Sequence, residues 1–456
     1  MNEHVDFERI VAHGIAGEGV SPPSDAFYEE LFSRAARTGP RPEWLALIKE
    51  APMRTNNHLA VGSPTLRLAA TMAAVLLLAV ALAAAGIAGS RLMAADDAII
   101  VAADGSGDFS TIVEAVAAAK DGDTLLIRPG GYTEPFVIDK DITLRGDGPR
   151  EQIVLGGPAA PANQEGCDSD IEHGCAFILR ETMGTLADVT LRGDLAGLGI
   201  IGGAPTIEGL LFDRDGGRPA DGSPDFGVQL NIGGASRARV LDNEFAGEAP
   251  LWIDEGSNPL VEGNTLRRGS SIGAGDAGSD TIIRANEISD SAGTAISVTG
   301  PSAMLIEDNV LSGAGVDGIA VGFMTGEGFD PIIRGNTITA AVGNAISLGP
   351  RAAPTIEGNT LADNGFGIFL QSGDALVRHN DIRGDGIGIA VAGAGAPAIT
   401  GNSIDVTGRG ISLTRGSGAI LSDNTVCGGD EDIFVDAESE PVIDSSNQLC
   451  GNASTE

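Results

Sequence analysis

Aromatic side chains are scarce. Two Trp, two Tyr and 14 Phe make up 4% of 456 residues, an inventory that suits narrow, turn-rich β architecture better than a helical bundle. Positive charge is also short, with 28 Lys and Arg against 63 Asp and Glu for a net charge of −35. The deficit is local. Residues 1–91 carry eight bases and nine acids, whereas residues 92–456 carry 20 bases and 54 acids. So acidic a surface repels phosphate backbones, which excludes nucleic acid as a partner. Only four cysteines occur, and none lies in a CxxC or His-rich setting, so a zinc site is excluded. What is plentiful is glycine, at 66 residues about twice the usual share. It has no three-residue period, so a collagen-like chain is excluded as well.

The chain contains one long uncharged run, residues 68–90, between Arg67 and Arg91. As a helix it would extend roughly 34 Å at about 1.5 Å per residue, enough to cross a hydrocarbon core. It begins too far from the N-terminus, and runs too long, for a secretory signal core. Lys49, Arg54 and Arg67 precede it while only Arg91 follows closely, so the basic flank places the N-terminus in the cytoplasm. The sequence therefore divides into a cytoplasmic segment 1–66, a transmembrane helix 67–91, a linker 92–98 and an outer domain 99–456. Within the first segment, residues 25–37 carry Phe27, Leu31 and Ala35 at helical spacing, and nothing there names a cytoplasmic partner.

The outer domain repeats. An apolar residue stands three positions before each of Asn243, Asn264, Asn286, Asn309, Asn336, Asn359, Asn380, Asn402 and Asn424, at spacings of 21, 22, 23, 27, 23, 21, 22 and 22. Two residues after the asparagine comes an aliphatic such as Ile288, Leu311 or Ile338. About ten after it comes an alternating run such as AISV, GIAV or AISL. Alternation is the mark of a strand with one buried face. A unit of about 22 residues cannot close a core alone, but stacked units can, each adding one strand to several parallel sheets. The predicted fold is all-β: a right-handed parallel β-helix of about a dozen coils, with the asparagines stacked at one turn where their amides bond neighbouring coils.

The ends of such a rod need covering. Thr111 and Glu114 have capping-box spacing ahead of an apolar run, which predicts a short helix plugging the first coil before a strand at 124–127. Cys427 and Cys450 lie one coil period apart, within disulfide reach if the coils stack, and Cys167 and Cys175 close a small loop in the excursion at 156–175. Disulfides require an oxidising compartment.

Residues 101–119 (VAADGSGDFSTIVEAVAAA) and 121–148 (DGDTLLIRPGGYTEPFVIDKDITLRGDG) resemble the opening of pectin methylesterases in the pectin-lyase-like group. The repeats after residue 200 resemble those of NosD-like periplasmic proteins. The resemblance implies the β-helix fold and a place outside the cytoplasm. Pectin methylesterases work with paired aspartates in QDD and DFIFG settings. The nearest string here, Pro224-Asp225-Phe226-Gly227, lacks the rest, so no catalytic role carries over.

What remains is the position about eight residues after each asparagine from Asn286 to Asn402: Thr294, Asp317, Asn344, Phe366, Ile387 and Arg409. Such mixed chemistry reads as a solvated face. Asp317, Asp363 and Asp385 fall on near coils and are the candidates for acid/base work on a sugar chain. Trp252 and Phe366, with Tyr132, are the aromatic candidates for stacking against sugars. No cofactor is called for. Calcium is the one ion that the acids could take up, although no single loop supplies its six or so oxygens. The reading is a membrane-anchored, extracytoplasmic rod that binds polysaccharide or other envelope material, with a polysaccharide esterase, lyase or hydrolase as the alternative.

Overall fold

The computed structural model describes residues 98–156, 175–192, 197–214, 229–300, 302–322, 330–350, 352–371, 373–384 and 386–451. Residues 99 onward form a unit with its own core. The expected cytoplasmic segment, membrane span and nearly all of the linker lie outside the described residues, as do Asp385 and the pairing of Cys167 with Cys175. Among the described residues, no helix is long and apolar enough to cross a membrane.

From the second strand on, each strand pairs with the one three further along, always in parallel, so the chain winds as a solenoid with three faces. Sheet I has 15 described strands, from Ile99–Val101 to Val442–Ile443. Sheet II has 13, from Phe136–Ile138 to Glu431–Val435, and sheet III has 14, from Gly130–Tyr132 to Gln448–Leu449. That makes about fourteen coils, a rod about 65 Å long at about 4.8 Å per coil. The sequence indicated about a dozen because the first coils lack the asparagine signature. Val189 and Leu210, both fully buried, occupy the ladder position there.

A typical coil reads directly from its residues. In strand Thr355–Glu357 the central Ile356 is buried while Thr355 and Glu357 face outward, and its register partners Ile333 and Val377 repeat the arrangement. The same inward file on sheet III includes Phe212 and Phe245, whose rings stack with centroids 4.3 Å apart. Burying one such side chain per strand contributes about 1.5–3 kcal/mol each. The core is therefore continuous along the axis.

At the turn from sheet I to sheet III, each ladder asparagine is buried and binds two neighbouring coils. Asn264 Oδ1 accepts from the backbone N and Nδ2 of Asn243 (3.0 and 2.9 Å), while Asn264 Nδ2 donates to the Val240 carbonyl (2.9 Å) and to Asn286 Oδ1 (2.9 Å). The pattern repeats through Asn424 and continues to Asn447, whose Oδ1 accepts from Asn424 N and Nδ2. This tenth rung escapes the sequence pattern because Asp444 stands where the other coils place an apolar residue. The residue before each asparagine from Asn243 to Asn424 turns into left-handed backbone, with φ of 52° at Ala285 and 65° at Gly401, which returns the chain sharply to sheet III.

The first coil is plugged by helix α1, Ile112–Ala118. Thr111 Oγ1 accepts from Glu114 N (3.2 Å) at its start, and Ile112, Ala115 and Val116 enter the core. Lys140 Nζ closes the other end by donating to the carbonyls of Val116, Ala117 and Ala119 at 2.8, 3.1 and 2.9 Å. At the far end Cys427 and Cys450 form a disulfide across adjacent coils of sheet III, with Cα atoms 5.0 Å apart. The buried Asp432 braces that corner, accepting from Gly428 N and Gly451 N.

Candidate functional site

Outward positions of sheet II form files parallel to the rod axis. The central file runs Gly199, Asn231, Trp252, Gly273, Ser297, Ala320, in register from coil to coil. It continues through Ser347, Phe369, Ala390, Ser412 and Phe434. Three aromatics thus stand in one line, Trp252 and Phe369 five coils apart (about 24 Å) and Phe369 and Phe434 three coils apart (about 14 Å). No bulky side chain lies between them in the file.

Trp252 is 43% exposed, on a strand whose neighbours Leu251 and Ile253 are fully buried. Its indole extends over the next coil, where a Cβ on Gly273 would overlap ring atoms Cε3 and Cζ3. Only glycine at 273 leaves room for the ring to lie there. On the preceding coil, its register partner Asn231 is 8% exposed, and Nδ2 is shielded from solvent with no hydrogen-bond partner. Left without a partner, that amide gains a hydrogen bond when its side chain turns outward to an acceptor at the surface. A flat ring beside a free amide donor is a suitable surface for a sugar, which offers an apolar C–H face and hydroxyl acceptors.

Phe366 begins strand Phe366–Leu370, half-buried, between register partners Asn344 and Ile387. In that strand Ile368 and Leu370 point inward with Phe369 outward between them, while the buried Gly367 breaks the alternation and leaves Phe366 partly exposed as well. Alternation across residues 368–370 already turns Phe369 outward, whereas the spacing from the ladder asparagine singles out Phe366. At the C-terminal end the Arg409 guanidinium lies 3.6 Å from the Phe434 ring centroid and also pairs with Glu431.

Two expected residues sit elsewhere. Tyr132 is 6% exposed and faces inward, its hydroxyl donating to the Arg128 carbonyl (2.9 Å), so it offers no stacking surface. Burial pushes its phenol above the ordinary pKa. Asp317 is not on a solvated face. It is 7% exposed, with Oδ1 accepting from Asn344 N and Nδ2 (2.7 and 2.8 Å) and Oδ2 accepting from Ser347 Oγ (2.6 Å). Both carboxylate oxygens are thus committed to the next coil. Asp363 occupies a different part of its coil, exposed in the left-handed turn after strand Thr360–Ala362, with φ of 59°.

Residues 322–454 match the family model described as right handed beta helix region, and residues 226–382 match that described as periplasmic copper-binding protein (NosD). No curated protein matches the sequence. Similar solved structures include the catalytic domain of a GH87 α-1,3-glucanase in complex with nigerose (13% identity over 73% of this chain and 63% of that one, TM-score 0.42). They also include the A-module of mannuronan C-5 epimerase AlgE6 from Azotobacter vinelandii (14%, 75% and 93%, 0.39) and the PL6 family polysaccharide lyase Pedsa3628 from Pseudopedobacter saltans (14%, 74% and 90%, 0.39). The chain spans less than two thirds of the glucanase domain's length. Copper takes thiolate, thioether or imidazole donors. Among the described residues no group of three or more His, Cys, Asp and Glu is placed to hold a metal, the described thiols are joined as Cys427–Cys450, and of the two described methionines Met304 is fully buried and the exposed Met183 supplies a single thioether. The described residues do not fit a copper site.

Proposed function

This chain is a right-handed parallel β-helix repeat protein, and we propose that it works outside the cytoplasm, anchored by one helix at residues 67–91, as a rod that binds neutral polysaccharide along sheet II. The observation that carries this reading is the Trp252 indole spread over Gly273 beside the unpartnered Asn231 amide, at the head of a file that continues to Phe369 and Phe434. A chain of sugars laid parallel to the axis meets these rings in turn.

Charge narrows the ligand. Residues 92–456 carry 54 acids and 20 bases, so a polyuronate would approach against a strong like-signed field. A neutral glycan feels none. The terminal disulfide fits an oxidising compartment, as does the periplasmic label of the family model matching residues 226–382.

The test is retention of the protein on a panel of neutral and anionic polysaccharides, with analysis of the soluble products. Expected are retention on a neutral polymer, about tenfold weaker binding by Trp252→Ala, and no new reducing ends, unsaturated sugars or released methanol. Turnover of any polymer would instead establish the enzyme, and equal retention of Trp252→Ala would remove sheet II as the site.

A further inference from the structure

Sheet I presents a second patterned face, opposite in character. At the third position of six successive strands stand Glu262, Arg284, Glu307, Arg334, Glu357 and Arg378, in register and strictly alternating in sign. They pair two by two within the chain, Arg284 with Glu262 at 3.0 Å, Arg334 with Glu307 at 2.6 Å and Arg378 with Glu357 at 2.5 Å. Arg284 Nε is shielded and has no partner. The first position of the same strands is an outward aliphatic stripe of Leu260, Ile282, Leu305, Ile332 and Leu376, broken only by Thr355. Ile332 is 39% exposed. Polar residues would serve a solvated sheet face better than this stripe.

The order of signs reads Glu-Arg-Glu-Arg-Glu-Arg in one direction and Arg-Glu-Arg-Glu-Arg-Glu in the other. A copy turned end over end by a two-fold axis along the strands, between the coils of Glu307 and Arg334, therefore sets every Glu against an Arg. Glu262 meets the second copy's Arg378, Arg284 meets Glu357, and Glu307 meets Arg334. The same operation lays the aliphatic stripes together, Leu260 against Leu376 and Leu305 against Ile332. A two-fold along the rod axis would instead press the charged row onto the stripe and strand the charges. We propose that sheet I is the contact face of an antiparallel homodimer, isologous and centred between Glu307 and Arg334. Six rows of three-residue strands form a patch of about 29 by 10 Å, below the area of a standard interface, so the association is weak and reversible. Sheet II stays free, and this dimer stands or falls independently of polysaccharide binding.

The full chain is tested in detergent by mass measurement across a dilution series, with E262R, R378E and the double variant. Glu262 and Arg378 lie five coils apart in one copy, about 24 Å, too far to repair one another within the chain. In the dimer they touch. Each single reversal is expected to weaken association about tenfold, and the double variant to restore it to within about threefold of the parent, with melting temperatures confirming that all variants fold. A parent that stays monomeric throughout would overturn the proposal. A dimer indifferent to E262R, or not rescued by R378E, would also overturn it, since association through residues 1–97 ignores both changes.

Discussion

A ladder asparagine performs several tasks with one amide. Asn309 Oδ1 accepts from Asn286 N (3.0 Å) and Nδ2 (2.9 Å), and its Nδ2 donates to the Ile283 carbonyl and to Asn336 Oδ1, both at 2.9 Å. Asn309→Ala leaves those groups buried without partners and is expected to cost about 2–4 kcal/mol. Asn447→Ala strips Asn424 of its acceptor too, but at the half-exposed end of the ladder, where water takes over. There the loss stays under about 1 kcal/mol. Denaturant midpoints for the two variants measure the difference, and equal losses would show that the amides do not act through buried bonds. Other roles at this scale were less legible. Asp317 looks in sequence like any surface acid because the donors that bury it, Asn344 and Ser347, come 27 and 30 residues later. Trp252 is conspicuous as one of two tryptophans, yet its setting depends on Gly273 and Asn231, each 21 residues away.

The strand is the most legible element, because one inward aliphatic per strand recurs at constant phase and a period of two needs only local sequence. Strand Thr124–Ile127, helix α1 and the Cys427–Cys450 link all follow from short-range signals or from the coil period. Legibility fails where an element breaks its own rule. Strand Phe366–Leu370 places two adjacent buried residues, Gly367 and Ile368, between its phenylalanines, so that Phe366 and Phe369 are both partly exposed. The first coils put Val189 and Leu210 where amides stand later, and 33 residues separate Leu210 from Asn243. The disulfide belongs to this scale. It closes a loop of one coil period and limits fraying of the last coil, contributing about 3 kcal/mol to that end. Cys427→Ser should therefore speed hydrogen exchange in strands Val442–Ile443 and Gln448–Leu449 and lower the melting temperature, leaving the central coils unchanged. Unchanged exchange at both strands would mean that Asp432 alone holds the corner.

Over the whole molecule the three faces differ in chemistry. Sheet I alternates charge beside an aliphatic stripe, and sheet II carries the spaced aromatics. The turn between sheets I and III holds the amide ladder that keeps coils in register. A solenoid makes such division possible, since an outward file is repeated at each coil while the inward file alone maintains the core. The parallel β-helix could be read from the asparagine spacing. The separate uses of its faces could not, since they require knowing which outward residues share a file across insertions of unequal length.

Polysaccharide binding at sheet II is tested most directly by the emission of one indole. In a Trp44→Phe background Trp252 is the sole tryptophan, and the account predicts a saturable change in its fluorescence as neutral polysaccharide is added, with the same midpoint as retention of the protein. Binding that saturates while Trp252 emission stays unchanged would contradict the account.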